Sequence, residues 1–455
     1  MAKADVATPS LAYTQMAGRW QLPSALMGGT LAMRAAGTTY LPKMPKEDES
    51  AYRDRLNSST LFNGYGRTVR LLAGRPFSRP VVVEEAPDEL AQLVADVDLA
   101  GRDLTAFSRD LLTDMVTYGK AHILVDCPEQ PNPDQPANLA QERQLKLRPY
   151  FVQVSPEALI GWQGQRVGGS EQLQQIRIRE TTVEQEGEWG EKAVERVRVI
   201  YPDRFDLYRY DGKTWAQEKA GTPMTLGKVA LVTIYGMRTG FLTSKPPLED
   251  LAFLNLRHWQ SQSDQDNILH VVRVPLLFFA GFSEKDLGVI TIGPNRAIHH
   301  QKPDARVQFV EHTGAGIAAG RQDLLDLEAR MAVMGADLLV RRPGNETATA
   351  KAIDTAESVS DLQAMVRNLE AGLEQAFGLA ADWSDLRDTR VQVDINQDFG
   401  LSLGEAGDLD QLLKARLARQ ITQETYLKEL KRRGVLGDQV DIEAEIAGVQ
   451  TEAVL

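Results

Sequence analysis

Two apolar stripes at helical spacing, separated by a single break, constrain this chain more than anything else in it. Leu324, Leu327, Met331, Met334 and Leu338 recur at steps of three and four, with Asp323, Asp326, Arg330 and Asp337 between them. Val359, Leu362, Val366, Leu369, Leu373 and Phe377 repeat the pattern after an alanine-rich run that favours helix from about Thr349. Between the stripes lies Arg341-Arg342-Pro343-Gly344-Asn345-Glu346-Thr347. Proline disfavours helix in the residue before it, glycine admits positive φ, and Thr347 or Thr349 can cap the restart. At about 1.5 Å per residue the two helices run roughly 35 and 45 Å. Helices in compact domains average about eleven residues, so packing from outside one subunit's core is expected.

A comparable helix precedes this pair. Pro246-Pro247 starts it, and Leu248, Leu251, Ala252, Asn255 and Trp259 share a face before it ends near Val272. Its second half, Ser261-Gln262-Ser263-Asp264-Gln265-Asp266-Asn267, is polar all round, which predicts water or a neighbouring subunit on its sides. Short strands over 276–280, 289–292 and 306–310 lead to the next helix.

Upstream, residues 1–45 are rich in Ala, Gly, Pro and Thr and read as an arm with one short helix near 24–36. Tyr52, Leu56, Phe62, Tyr65, Val69 and Leu72 hold a helical face from Glu47 to Gly74. A second helical region covers 87–118 with an interruption at Gly101, then a short buried strand over 121–125 and a surface loop over 130–144. From 148 to 236 the period changes to two. Strands are expected over 172–183, 193–201, 205–210 and 228–235, with Asp211-Gly212 as a hairpin turn. One more strand over 390–395 and a helical tail, stopping at Gly434, complete an α+β chain.

The 455 residues suffice for two or three domains. Cys127 is the sole cysteine, so no intramolecular disulfide forms and a reducing cytoplasm is expected. No apolar run approaches a membrane span and no signal-peptide pattern opens the chain. A net charge of −12 argues against tight binding to nucleic acid by phosphate neutralisation, while leaving room for a passage whose walls do not hold DNA.

Catalytic motifs are weak. Gly314-Ala315-Gly316-Ile317-Ala318-Ala319 fits a dinucleotide fingerprint after a strand and before a helix. The fingerprint also needs a second parallel strand ending in an acidic residue about twenty positions on; here the helix runs on to a loop. Gly212-Lys213-Thr214 lacks the first glycine of a phosphate loop, Leu207 standing in its place. His299-His300 would point to opposite sides of a strand, and Asp264 and Asp266 diverge on a helix. No metal, cofactor or catalytic constellation is expected, and the chain is not read as an enzyme. The alternative is a nucleotide-dependent enzyme using the turn over 314–319.

The order of parts carries a resemblance. Its residues are Tyr52-Arg53-Asp54-Arg55 with Phe62-Asn63, and Arg148-Pro149-Tyr150 leading to Trp162. Pro247-Leu248-Glu249-Asp250-Leu251-Ala252, His258-Trp259-Gln260-Ser261-Gln262-Ser263-Asp264 and Thr347-Ala348 complete the set. With them the chain resembles the portal protein of tailed bacteriophages, in a subfamily often catalogued as a domain of unknown function. The resemblance implies an N-terminal arm (1–45), the first part of a wing (46–246), and a first stem helix (247–272). A clip (273–316), a second stem helix (317–340) and a tunnel loop (341–348) would follow. The long helix and return strand of the wing (349–400) and a helical crown (401–455) would close the chain. It further implies a ring, usually of twelve copies, at one capsid vertex of a virion assembled in the host cytoplasm. Double-stranded DNA would pass through it, and terminase, a head-completion or adaptor protein and the major capsid protein would be its partners, with no membrane involved. Glu249, Asp250, Asp264 and Asp266 stand against Arg257 on the first stem helix. Asp323, Asp326, Glu328 and Asp337 stand against Arg321 and Arg330 on the second. Repeated around a ring, this surplus predicts an acidic channel lining, with Arg341 and Arg342 at the edge of the tunnel loop.

Overall fold

A computed structural model describes residues 4–128, 148–224, 226–272, 276–281, 306–310, 315–337, 360–386, 389–397, 406–418 and 420–432, with a few isolated positions after 434. The chain opens with helices α1 (Leu11–Met27), α2 (Gly29–Ala36), α3 (Glu49–Ser58) and α4 (Gly64–Gly74). β1 (Val82–Glu84), α5 (Asp88–Ala95), α6 (Leu104–Tyr118) and β2 (Lys120–Asp126) follow. Next come β3 (Tyr150–Val154), β4 (Leu159–Val167), β5 (Ser170–Glu186), β6 (Gly190–Ile200), β7 (Arg204–Tyr210), β8 (Trp215–Pro223) and β9 (Leu231–Tyr235). After the short β10 (Arg238–Gly240) and β11 (Thr243–Ser244), α7 (Glu249–Val272), β12 (Leu276–Ala280), β13 (Arg306–Val310) and α8 (Ala315–Asp337) form one succession. Helix α9 (Asp361–Trp383), β14 (Gln392–Asp394), α10 (Ala406–Leu417) and α11 (Gln423–Arg432) end it. The α+β class holds.

The chain divides into two compact units. The first comprises Met1–Gly18, Val69–Pro247 and Leu338–Leu455. Its centre is the antiparallel sheet β3-β2-β9. Strand β2 is buried on both faces, so even Lys120 and His122 are inaccessible. Phe377 of α9 meets Phe151 of β3 edge-on at 5.3 Å. Gly372 lets α9 lie close to β9, because a Cβ there would sit 2.4 Å from Ile234 Cγ1. Strands β4 to β8 form a five-stranded meander in sequence order. Leu159, Ile176, Ile178 and Ile200 of the meander join Leu124, Val154 and Leu231 in one apolar cluster. Ile160, Val197 and Val199 form another, against which Val6, Ala7 and Tyr13 pack. Arg177 Nη1 donates to the carbonyls of Val6 and Thr8 at 2.9 and 2.7 Å. The first residues therefore cover a sheet rather than form an arm.

The Asp211 turn is as expected, with the backbone N–H groups of Lys213 and Thr214 donating to Asp211 Oδ1 at 2.8 and 2.7 Å. The start of α9 is not. Ser360 and Gln363 form a reciprocal capping box (Gln363 N to Ser360 Oγ 3.2 Å; Ser360 N to Gln363 Oε1 3.0 Å), and Ser360 has extended backbone angles. Helix α9 is therefore capped at Ser360 and runs from Asp361; Val359, expected on its face, lies outside the described residues. Residues 349–359, the loop expected over 130–144, the strand over 289–292 and His299-His300 lie outside the described residues.

The second unit comprises Arg19–Thr68 and Leu248–Asp337. Residues 46–68, expected in the wing, thus fold with the two long helices. Trp20, Leu26 and Met33, all in the supposed arm, are fully buried. The hairpin β12–β13 pairs Leu276 with Val310 through to Ala280 with Arg306.

Candidate functional site

Helices α7 and α8 are the part of this unit that function has to explain. Arg257 contacts Asp323 (3.1 Å), His258 contacts Glu328 (3.3 Å), and Gln265 Nε2 donates to the Ile317 carbonyl (3.0 Å). Residue number rises along one helix as it falls along the other, so the pair is antiparallel. At about 1.5 Å per residue each helix is roughly 35 Å long. Leu324, Leu327 and Met331 are buried on α8 as their spacing predicts. Gly320 leaves room for the Gln265 amide, whose Oε1 lies 2.2 Å from where a Cβ would stand.

The polar half of α7 meets expectation in part: Asp264, Asp266 and Asn267 are exposed, whereas Ser263 and Gln265 are buried. Asn255, His258, Ser263 and Gln265 are buried, and the chain itself supplies partners. Asn255 Oδ1 accepts from the Tyr65 backbone N–H (2.7 Å), and its Nδ2 donates to the Phe62 carbonyl (2.8 Å). Ser263 Oγ accepts from Ser59 Oγ (2.9 Å) and Arg55 Nη1 (3.3 Å). Arg55 also grips buried Glu47 through Nε (2.7 Å) and Nη2 (2.8 Å), and Nη2 donates to the Pro42 carbonyl (2.8 Å). The signal for this was present in the sequence. The buried series Leu248, Ala252, Asn255, Trp259 continues at the same step to Ser263.

The expected channel carboxylates divide. Glu249 lies 3.5 Å from Arg19, Asp323 accepts from Arg257 and Ser261, and Glu328 meets His258. Glu249 and Asp323 are thus paired with arginines, and Glu328 has a hydrogen-bond partner, within the chain. Asp250, Asp264, Asp266 and Asp326 are exposed, Asp266 and Asp326 accepting from Gln262 (2.7 Å) and Gln322 (2.9 Å). Asp337 ends α8. The loop residues Arg341, Arg342, Pro343, Gly344, Asn345, Glu346 and Thr347 lie outside the described residues.

A second face of α8 escaped the sequence reading. Ala318, Gln322, Leu325, Ala329, Ala332 and Ala336, at alternating steps of four and three, are all exposed opposite the buried stripe, with exposed Val333 beside them. Leu325 is 48% and Val333 65% accessible; on α7, Phe253 is 56% and Ile268 42% accessible. Single exposed apolar residues are ordinary, but a stripe running the length of a helix is a surface that buries on association.

The turn over 314–319 gains no nucleotide-site context. Helix α8 begins at Ala315, Gly314 is outside the described residues, and the strand before it pairs antiparallel in a two-stranded hairpin. The fingerprint requires parallel strands around its helix. No helix among the described residues is long and apolar enough to cross a membrane.

Residues 247–384 match the family model described as "Domain of unknown function (DUF4055)". No curated protein matches the chain. The chain is similar to one in a solved virion of a native gene transfer agent particle, at 12% identity and a TM-score of 0.41, covering 92% of this chain and 98% of that one. It is also similar to a chain in the neck of the native gene transfer agent particle computed with C12 symmetry. There the identity is 13%, the TM-score 0.44, and the coverage 88% of this chain and 98% of that one.

Proposed function

We propose that this chain is the ring-forming portal subunit of a tailed-phage-like virion, conducting double-stranded DNA through one capsid vertex without catalytic chemistry of its own. The observation that carries the reading is the outward stripe of α8. It is apolar, built of small residues that permit close helix approach, and left bare while the opposite stripe packs on α7. A head-to-tail contact that buries one surface of each copy against a different surface of the next closes into a ring when the rotation allows. Phe253 and Ile268 on α7 supply a second apolar surface for such a contact. The matched family region contains α7, the hairpin, α8 and α9, the parts that the portal resemblance names stem, clip and long helix. Terminase, an adaptor and the capsid shell would then be its partners, and the exposed Asp250, Asp264, Asp266 and Asp326 the carboxylates free to repel phosphate.

Buried Ser263 and Gln265 of α7 do not support association, because they are satisfied within the chain; the α8 stripe does. Mass photometry and negative-stain imaging of purified protein test the reading. Closed rings are expected. A persistent single-chain species, with capsid assembly partners present as well as absent, overturns it.

A further inference from the structure

Between β9 and Pro246 the chain makes a detour over residues 236–245 that is fastened along its length. The backbone N–H groups of Gly236 and Met237 donate to the Gly119 carbonyl at 2.8 and 3.0 Å, and that of Lys245 donates to the Met237 carbonyl at 3.1 Å. Strands β10 and β11 pair within it, and Ser244 Oγ donates to the Tyr118 carbonyl at 3.0 Å. The centre of this strap is Leu242. Its side chain is 2% accessible, yet its φ is +55. That left-handed region is costly for a bulky residue, and such strain persists only where the surroundings hold it. Here two side chains do so. Tyr235 Oη accepts from the Leu242 N–H at 2.9 Å, and Lys120 Nζ donates to the Leu242 carbonyl at 2.8 Å. Arg238 of the strap lies over the Tyr235 ring, its guanidinium carbon 4.8 Å from the centre.

Of these fastenings, Lys120 is the one that can change state. It stands opposite Tyr235 on the central sheet, is fully buried, and is covered by the Trp162 ring at 5.1 Å. The titratable and charged groups around it are His122 on its own strand, Tyr235 on β9, Tyr118 at the end of α6 and Arg238 on the strap. Burial, and then the Lys120 charge, hold His122 well below the usual histidine range, so it stays neutral. A charged Lys120 must keep its ammonium away from water, whereas the neutral amine donates the same hydrogen bond without a buried charge. Burial accordingly holds the ammonium down at about 7. Opening the strap hydrates the amine and restores its ordinary proton affinity, so opening takes up a proton.

We propose that residues 236–245 form a proton-coupled strap, closed over neutral Lys120 and opening with protonation as Leu242 leaves its left-handed conformation. The strap runs directly into Pro246 and Pro247, which lead into α7. Its opening therefore frees the chain that enters that helix.

Hydrogen exchange of the full chain tests it, read by mass spectrometry from pH 6 to 9 and corrected for the intrinsic exchange rate. The peptide over 237–245 should open about fiftyfold more often at pH 7 than at pH 9, with little further change below pH 7, as uptake of one proton requires. It should also exchange well ahead of β2, which sheds its protection only when the whole sheet unfolds. A flat profile over 237–245, or exchange there no faster than in β2, overturns the proposal. Lys120→Met should flatten the profile, and a retained slope in that variant overturns the assignment to Lys120. Tyr235→Phe keeps Lys120 and removes only the hydroxyl that holds the Leu242 N–H. It should raise opening at every pH with the slope unchanged. If Lys120→Met does not fold, Tyr235→Phe decides, and opening equal to that of the native chain overturns the strap.

Discussion

Arg55 and Glu47 form a buried pair in which the guanidinium is bidentate on the carboxylate and also holds Ser263 and a carbonyl. The Arg55 hydrogen bonds hold the Glu47 carboxyl down at about 2. A carboxyl whose folded value lies below its ordinary 4.5 stabilises the fold above that pH and loses the contribution as pH falls toward 2. Thermal unfolding of the native chain should therefore drop between about pH 4.5 and 2 more steeply than that of Glu47→Gln; parallel curves would deny the pair this role. Removing one partner leaves a buried charge, so Arg55→Met should cost about 3–5 kcal/mol in denaturant unfolding. Lys120 poses the opposite case. Its Nζ donates to the Leu242 carbonyl at 2.8 Å and lies 5.1 Å from the Trp162 ring centre. Burial holds its ammonium down at about 7, against an ordinary 10.5. Between those values the unfolded chain binds more protons, so stability should rise with pH from about 7 to 10. Lys120→Met should abolish that rise, as a pH series of melting temperatures would reveal.

At the scale of elements, caps and close approaches decide where helices begin and how near they lie. Ser360→Ala removes one half of the capping box on α9 and should cost about 1 kcal/mol. A loss below a few tenths in denaturant unfolding would mean that the start of α9 is held by packing alone. At the far end of α6, Gly119 has φ +82, and a Cβ there would lie 2.0 Å from the Lys245 carbonyl. The chain can return past that helix end only with glycine. The antiparallel pair α7–α8 has two unlike seams. One face is closed by Leu324, Leu327 and Met331 with Trp259 buried nearby in the chain's own core; the other carries alanines with Leu325 and Val333 in water.

In the proposed ring, that second seam is the contact between copies. Leu325→Asp together with Val333→Asp should leave the subunit's own unfolding within about 0.5 kcal/mol, because exposed positions contribute little to it. The same pair should abolish ring formation, since it sets unpaired carboxylates in a surface that buries on association. Rings that persist in the double variant would show that the α8 stripe is not the ring interface. Of the eight carboxylates expected to line a channel, Glu249, Asp323 and Glu328 are engaged within the chain by Arg19, Arg257 and His258.

By itself the sequence determined many segments where one periodicity ran unbroken, although the face expected from Glu47 to Gly74 is two helices, α3 and α4, broken between Ser58 and Gly64. The α7 and α8 stripes, the strands over 276–280 and 306–310 and the Asp211 hairpin follow from spacing and turn chemistry. The Ser360-Gln363 box was also there to be read, but the alanine-rich run before it masked the boundary. What only the tertiary structure decided is which polar groups lie inside. Ser263 and Gln265 look like a solvated face until Ser59 and the Ile317 carbonyl arrive from distant parts of the chain. Trp20, Leu26 and Met33 look like part of an arm until a core closes over them. Periodicity records a local geometry, whereas burial of a polar or isolated apolar side chain depends on partners far away in sequence, which no local pattern encodes.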